Sequence, residues 1–192
     1  PNNLLGLSVS NTSFVISFWT VINEWNKDNM VHLLSFTDPA NCTSSSSKDI
    51  SNECKQFPGF WLSPRTNRLN ICLDTSGPTR EIITIDNIPI RKWINIACVI
   101  NNYSVGIYID GKLTRSHVIE ASPLVLAETA NIYINQSDNQ SSKNIIQMAY
   151  LQVFSEYLPP QSMHILYQEI LPKIKSYENY LYNNMTLAEI QP

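Results

Sequence analysis

Apolar and polar residues alternate along most of this chain, which is the pattern of β-strands that bury one face. In residues 14–22, for example, Phe14, Ile16 and Phe18 fall on the same side. Such strands follow one another without long helices between them, which predicts an all-β, antiparallel sandwich or barrel. The further predicted strands are residues 31–36, 60–62, 68–74, 80–85, 93–100, 104–109, 112–119, 131–135 and 145–154.

Turn-forming residues separate these segments. Asp110-Gly111 between two alternating segments predicts a tight hairpin in which both central residues have positive φ. With Asn101-Asn102 as the preceding turn, residues 93–119 are predicted to form three consecutive antiparallel strands. Thr66-Asn67 predicts another hairpin, and Pro58-Gly59 is interpreted as the turn that precedes the strand at 60–62.

Helical periodicity is confined to the end of the sequence. Met163, Leu166, Tyr167 and Ile170 follow the i, i+3, i+4, i+7 spacing of an amphipathic helix. We expect a short helix of about two to three turns that Pro172 ends, because proline interrupts helices. This divides the chain into a sandwich domain at residues 1–170 and a C-terminal extension at residues 171–192.

Composition and charge exclude some classes of partner. Charged residues make up 15% of the chain and the net charge is −3, against roughly 25% charged residues in an average soluble domain. No basic cluster suits a phosphate backbone, so nucleic acid is excluded as a partner. No apolar run spans a membrane. Because the sequence begins at Pro1, we expect any targeting signal or membrane anchor to lie upstream.

Several segments follow one another in an order typical of a known fold family. They are Phe18-Trp19, residues 58–62, residues 69–74, residues 93–97, residues 107–113, residues 151–154 and Leu158-Pro159. Their order resembles the laminin-G-like jelly rolls of the concanavalin A-like lectin/glucanase superfamily. The resemblance covers roughly residues 10–170 and implies a jelly-roll β-sandwich with a short C-terminal helix. The sequences of residues 86–97 and 108–112 are similar to those of laminin-G-like proteins of large DNA viruses.

Strand parity assigns the aromatic and aliphatic residues to packing. Ile94, Ile96 and Cys98 share one apolar face, which we expect to contribute to the core. Trp93 and Trp61 are interpreted as packing residues, since aromatic side chains mostly serve burial.

Catalytic chemistry is not indicated. Glucanases of this superfamily carry closely spaced carboxylates on one strand face, whereas Glu81 and Asp86 are five residues apart and would point to opposite faces. His32, His117 and His164 have no neighbour at metal-ligand spacing. We therefore predict no catalytic residues, no enzyme activity and no metal ligands.

Aspartates and cysteines near loops raise two alternatives, a Ca²⁺ site and a disulfide. Some laminin-G-like modules bind Ca²⁺, and Asp38, Asp49 and Asp74 fall near loops, but turn-forming aspartates explain them better. We predict no cofactor and keep Ca²⁺ as an alternative. Cys42 and Cys54 bracket a serine-rich loop and could form a disulfide in an oxidising compartment.

Cys72 and Cys98 are not expected to form a bridge, because Cys72 alternates away from the inward face on which Cys98 lies.

The leading functional hypothesis is a non-catalytic interaction module. The viral resemblance implies a structural, minor capsid or virion-associated protein that contacts other proteins of an assembly, located in a virion or extracellularly. The alternative is a carbohydrate-binding, lectin-like domain with glycan partners, in which Trp25 in a polar loop could stack on a sugar. A glycoside hydrolase is a remote third hypothesis.

Overall fold

The computed structural model describes residues 13–25, 28–37, 55–78, 80–124, 131–135 and 146–188, with side chains up to residue 180. Ten strands and one helix lie in these ranges. In chain order they are β1 (Ser13–Ile22), β2 (Val31–Thr37), β3 (Gln56–Leu62), β4 (Arg68–Leu73), β5 (Glu81–Asp86), β6 (Trp93–Asn101), β7 (Ser104–Ile109), β8 (Lys112–Val118), β9 (Asn131–Ile134), β10 (Ile146–Phe154) and α1 (Pro160–Ala188).

The strands form two antiparallel sheets of five strands each. The first sheet has the order β10-β1-β6-β7-β8 and the second has the order β5-β4-β3-β2-β9. The predicted three-strand meander is β6, β7 and β8, and the predicted hairpin is β3 and β4. This arrangement confirms the all-β jelly-roll sandwich.

The main hydrophobic core lies between the two sheets, on the faces that alternation assigned inward. Phe14, Phe18 and Ile96 are buried there. Phe18 meets Phe60 edge to face across the two sheets, with ring centroids 5.1 Å apart. Each fully buried aliphatic or aromatic side chain contributes about 1.5–3 kcal/mol, so this layer holds the sandwich together.

β3 begins earlier than predicted. Pro58 and Gly59 lie inside this strand rather than in a turn before it. The pairing of β2 with β3 shifts register between Ser35 and Thr37, and a proline is tolerated within a sheet at such an irregularity. A Cβ at Gly59 would clash with the side-chain oxygen of Gln56, so a larger residue would displace the oxygen that accepts the Trp61 hydrogen bond.

The C-terminal helix is much longer than the predicted short helix. α1 runs for 29 residues and continues through Pro172, so the prediction that Pro172 ends it was wrong. A proline inside a helix costs about 3 kcal/mol. Ile170 and Ile174, one turn apart on either side of it, are both buried and offset that cost. The chain passes residue 171 without a break, and the domain boundary at that position stays a prediction.

The helix covers the outer face of the first sheet, which gives the molecule a third layer. Ile170 and Ile174 pack with Trp19, Val21 and Trp93 on β1 and β6. The first turns of the helix contribute Met163 to a neighbouring cluster. Both faces of β1 are therefore buried, and Trp93 is a packing residue as predicted.

The turn between β7 and β8 has the predicted geometry and also contacts the helix. Asp110 and Gly111 have φ of 51° and 72°, as a type I′ hairpin turn requires. A Cβ on Gly111 would lie 2.8 Å from the Cβ of Tyr167 and 3.3 Å from the Cα of His164. The absence of a side chain at Gly111 thus allows α1 to approach the turn.

Within the ranges described above, no helix is both long and apolar enough to cross a membrane.

Candidate functional site

A groove opens at one edge of the sandwich, between the helix and the ends of two strands. We call it the rim groove. Its volume is about 580 Å³, a size typical of small-ligand sites. Its lining comes from the exit of β5 (Ile85, Asp86, Asn87, Ile88 and Pro89), the β7–β8 hairpin (Ile109, Asp110, Lys112 and Thr114) and the first half of α1 (His164, Tyr167 and Gln168).

The β7–β8 side of the rim groove is held by Asp110. Its Oδ1 accepts a hydrogen bond of 2.9 Å from the backbone N–H of Asn95, and its own N–H donates to the Asn95 carbonyl, also at 2.9 Å. The Nζ of Lys92 lies 3.9 Å from Oδ2, which is too far for a hydrogen bond. One carboxylate oxygen of Asp110 therefore fixes the turn, and the other is available as an acceptor.

The opposite side is the loop that leaves β5. Asp86 Oδ1 accepts a 2.8 Å hydrogen bond from Arg68 Nε. Asn87 follows with a φ of 59°, a conformation that asparagine adopts more readily than most residues. Ile88 is buried, and its N–H donates to the Asn67 carbonyl at 3.0 Å. This anchor fixes the backbone of the loop from which the Asp86 and Asn87 side chains extend.

The helix supplies the third side through Tyr167. One face of its ring stacks on Trp19, with centroids 5.3 Å apart and planes 13° apart. His164 lies one turn earlier, 6.4 Å away between ring centroids. Burial raises the pKa of the Tyr167 hydroxyl, and the negative charge of Asp110 raises it further. The neutral phenol at this position can donate as well as accept a hydrogen bond.

The lining combines an apolar surface with convergent polar groups. Ile85, Ile88, Pro89 and Ile109 are apolar, whereas the carboxylates, amides and hydroxyls around them donate or accept hydrogen bonds. Sugars have the same two-sided character, with C–H faces that pack on apolar or aromatic surface and hydroxyls that need directed partners. The arrangement suits reversible binding of a small polar ligand.

Trp25, the residue predicted to contact a ligand, lies elsewhere. Its ring is half-buried and packs against the main core. Its indole Nε1–H donates a 2.8 Å hydrogen bond to the Ser63 carbonyl. The indole donor is therefore used by the fold, and only part of the ring is exposed for stacking. Its role as a ligand contact stays a prediction.

Glu81 and Asp86 have separate environments, as their spacing predicted. Glu81 Oε2 lies 2.6 Å from His117 Nε2, which joins the edge strands β5 and β8 of the two sheets. Asp86 instead pairs with Arg68 and lines the rim groove. The contact between Glu81 and His117 was missed from the sequence because it joins residues 36 positions apart.

His32 lies on the outer face of the second sheet, beside Trp61. Their rings meet edge to face at 4.6 Å, and the Trp61 Nε1–H donates to Gln56 Oε1 at 2.8 Å. Both rings are buried. Loss of hydration on burial lowers the pKa of His32 to about 4, so the ring is neutral at physiological pH. Trp61 is a packing residue, as predicted.

Asp74 has a structural role. Both of its carboxylate oxygens accept hydrogen bonds from Arg80, and the backbone N–H of Gln56 donates to Oδ2. Across the part of the chain that the structure describes, no three His, Cys, Asp or Glu residues are grouped as metal ligands. Asp38 and Asp49, the other two candidates for Ca²⁺, lie outside the described residues.

Two of the four cysteines lie within the described residues and two lie outside them. Cys98 is buried in the main core, and burial strongly raises the pKa of its thiol. Cys72 is buried but points away from that core, so Cys72 and Cys98 form no bridge with each other. Cys42 and Cys54, predicted to form a disulfide, lie outside the described residues.

The residues of the rim groove were not identified from the sequence as a site. They come from three segments that are distant in the sequence, and only the fold brings them together. Two local signals pointed to parts of it: the Asp110-Gly111 turn and the helical stripe that contains Tyr167. Neither signal alone shows that the turn and the helix are in contact.

Comparison with known proteins agrees with the fold. Residues 2–162 match the model of the Laminin_G_3 family, described as concanavalin A-like lectin/glucanases superfamily. No curated protein sequence matches the chain.

Several solved structures share the fold. They include the receptor-binding domain of botulinum neurotoxin C/D mosaic serotype, with 19% identity and a TM-score of 0.63 over 88% of this chain and 39% of that chain. The serotype D ligand-binding domain in complex with N-acetylneuraminic acid has 16% identity and a TM-score of 0.61, over 83% and 37%.

The type C neurotoxin, which depends on interaction with two ganglioside molecules to enter cells, has 19% identity and a TM-score of 0.60, over 83% and 36%. The present chain thus spans less than two fifths of each of these structures. At identities this low, the structural similarity shows a shared fold alone.

Proposed function

Because the chain belongs to the Laminin_G_3 family of the concanavalin A-like lectin/glucanase superfamily, we propose that it is a non-catalytic module that binds carbohydrate. The observation that carries this proposal is the rim groove, where apolar surface and convergent hydrogen-bonding groups occur together. The neighbours in fold support it, since one of them was solved with N-acetylneuraminic acid and another interacts with gangliosides.

The proposed binding mode uses the three sides of the rim groove differently. The apolar residues of the β5 exit and Ile109 contact the C–H face of a sugar. Asp86 and Asp110 accept hydrogen bonds from its hydroxyls, and Gln168 and His164 on the helix complete the polar contacts. In this binding mode the sugar is held by non-covalent contacts and is not changed chemically.

A glycan array followed by calorimetric titration of the best ligand tests the proposal. We expect His164→Ala and Gln168→Ala together to weaken binding at least tenfold, because each removes a hydrogen-bonding group from the lining. Glu169→Ala is the matched control, as it changes the next exposed residue of the same helix outside the groove. Absence of binding to any glycan, or binding unchanged in the double variant, would contradict it.

Trp25 is tested in the same titration. Trp25→Phe keeps an aromatic ring against the core and removes the indole donor to Ser63. If the rim groove is the site, this variant binds the ligand as the unmodified protein does. A loss equal to that of the groove variants would move the site to the Trp25 loop.

Protein–protein contact in an assembly, such as a virion, is a second candidate function. The observation that favours it is β8, an edge strand of the first sheet on which Leu113 and Val118 are 54% and 69% exposed. Edge strands present unpaired backbone groups to which another chain can add. Incubation with proteins of a source assembly, followed by cross-linking at β8, tests it. Replacing Val118 with Lys should abolish that cross-link.

A further inference from the structure

The rim groove contains two carboxylates on opposing sides. Asp86 comes from the exit of β5 and Asp110 from the β7–β8 turn. In each, the fold engages Oδ1, through Arg68 for Asp86 and through the Asn95 N–H for Asp110. Asp86 Oδ2 and Asp110 Oδ2 accept no hydrogen bond from these groups, although Lys92 forms an ion pair with Asp110 Oδ2 at 3.9 Å. Both can accept from a ligand, and hydrogen bonds from hydroxyls to carboxylates are about twice as strong as those between neutral groups.

The lining contains fewer positively charged side chains than carboxylates. Lys112 is the one lysine or arginine among the described residues that line the groove. Arg68 and Lys92, which lie near the two carboxylates, are outside the lining, and their side chains are 46% and 65% exposed. Asp86 is itself 61% exposed, so water and salt screen both members of the Arg68–Asp86 pair, which carries little net charge. Asp110 is 26% exposed against 65% for Lys92, so the charge of this carboxylate is screened less than that of its partner. The whole chain also carries a net charge of −3, which adds a weak repulsion of anions.

We infer that the rim groove selects neutral, hydroxyl-rich sugars and discriminates against sugars that carry a carboxylate or sulfate. The inference rests on the proposed carbohydrate-binding function and specifies its ligand class. Asp110 is the main determinant of the selectivity, because its carboxylate accepts a hydroxyl of a neutral sugar and repels an anionic one. Asp86 also accepts a hydroxyl, but its ion pair with Arg68 weakens the repulsion. Lys112 acts in the opposite direction.

The test is a matched pair of oligosaccharides that differ only in a terminal sialic acid, titrated by calorimetry at low and at high salt. We expect the neutral member to bind about threefold more tightly, which is the effect of one carboxylate at ~7 Å from the anionic group in water. The difference should decrease at high salt, because ions screen the repulsion.

Three variants locate the selectivity. The double variant Asp86→Asn, Asp110→Asn should bring the two affinities together, and Lys112→Gln should increase their difference. Asn tolerates the positive φ of residue 110, and its Oδ1 can still accept from Asn95, so the turn is retained. Glu169→Gln is the control, since it removes a carboxylate of the same helix outside the groove and should leave the difference unchanged.

The outcomes separate the inference from the function on which it rests. Preference for the neutral oligosaccharide that disappears in the double variant supports the inference. Equal or tighter binding of the sialylated member overturns it, while carbohydrate binding as such remains. If neither oligosaccharide binds and no other glycan on the array binds, the proposed function is overturned as well.

Discussion

His32 and Gly111 show how single residues are constrained by what surrounds them. His32 is an ionisable ring in a buried position beside Trp61, and the cost of removing its charge from water keeps it neutral. Gly111 is a residue without a side chain at the contact between the β7–β8 turn and the helix. In both cases a tertiary contact constrains the residue, and the adjacent sequence does not reveal that contact.

Burial of His32 should make the protein sensitive to acid. The pKa of this ring is about 4 in the folded state and about 6.5 in the unfolded chain, so only the unfolded state binds the proton between these values. The free energy of unfolding should therefore fall as pH decreases from 6.5 to 4, by up to about 3 kcal/mol from this residue. Below pH 4 the loss should level off.

Urea unfolding at pH 7, 5.5 and 4 measures this effect. His32→Gln should show a smaller decrease with acidity than the unmodified protein, since the group that titrates is gone. His164→Gln removes an exposed histidine and should keep the full decrease. Identical pH profiles for all three proteins would show that His32 titrates normally.

Gly111→Ala should destabilise the protein by more than 1 kcal/mol. The new methyl group would lie 2.8 Å from Tyr167 and 3.3 Å from the helix backbone, at a φ of 72° that alanine adopts at a cost. Gly106→Ala is the matched control and should cost less, because no positive φ is involved and its nearest neighbour, Cε2 of the Tyr108 ring at 3.1 Å, belongs to a side chain and not to the helix backbone. Thermal unfolding followed by circular dichroism compares the two; equal melting temperatures would contradict the proposed contact.

Among the elements, the strands and the presence of a C-terminal helix were predictable from the sequence, whereas the length of the helix was not. Alternation placed Phe14, Ile16 and Phe18 correctly, because the sandwich core acts on every second residue of each strand. The buried stripe that begins at Met163 continues through Ile170 to Ile174, and its packing outweighs the helix-breaking effect of Pro172. Burial against the sheet, which is a tertiary contact, decides the length of α1.

The rim groove could not be predicted for a related reason. Asp86, Asp110 and Tyr167 belong to three elements, and none of them has a local pattern that indicates a site. Their proximity depends on where the helix lies on the sheet. Sequence periodicity defines which face of an element is buried and leaves open which elements meet.

Ile174→Ala tests whether the second half of the helix is attached by packing. Ile174 is 2% exposed between Trp93 and its neighbours, and truncation of a buried isoleucine costs about 2–5 kcal/mol. Ile165 is 52% exposed, so Ile165→Ala should change stability by less than about 0.5 kcal/mol. Chemical unfolding of both variants measures the difference. A similar small loss in both would mean that α1 detaches from the sheet beyond Pro172.

At the scale of the whole molecule, the protein has three layers: the second sheet, the first sheet and the helix. The first sheet is covered on both sides, by the main core and by the helix. Trp19 and Trp93 lie at the interface with the helix and would be exposed without it. The helix is therefore part of the packed structure at least as far as Tyr177, which contacts Trp93.

A chain that ends at residue 170 tests the predicted division of the molecule at this position. It should unfold at a lower temperature than a chain that ends at residue 180, because the longer chain keeps the contacts of Ile174 and Tyr177 with the sheet. Its tryptophan fluorescence should shift to longer wavelength as Trp93 becomes exposed. Equal melting temperatures and spectra would support a domain that ends at residue 170.

The position of β1 has a consequence for how the protein is made. β1 lies between β6 and β10 in the first sheet, and Thr20 Oγ1 donates to the Gln147 carbonyl across 127 positions of the chain. On a ribosome, the first described strand must wait for the last one before its second edge is paired. During that interval β1 exposes unpaired backbone groups beside its apolar side chains, so chaperone capture of nascent chains should be strongest before residue 154 has left the exit tunnel.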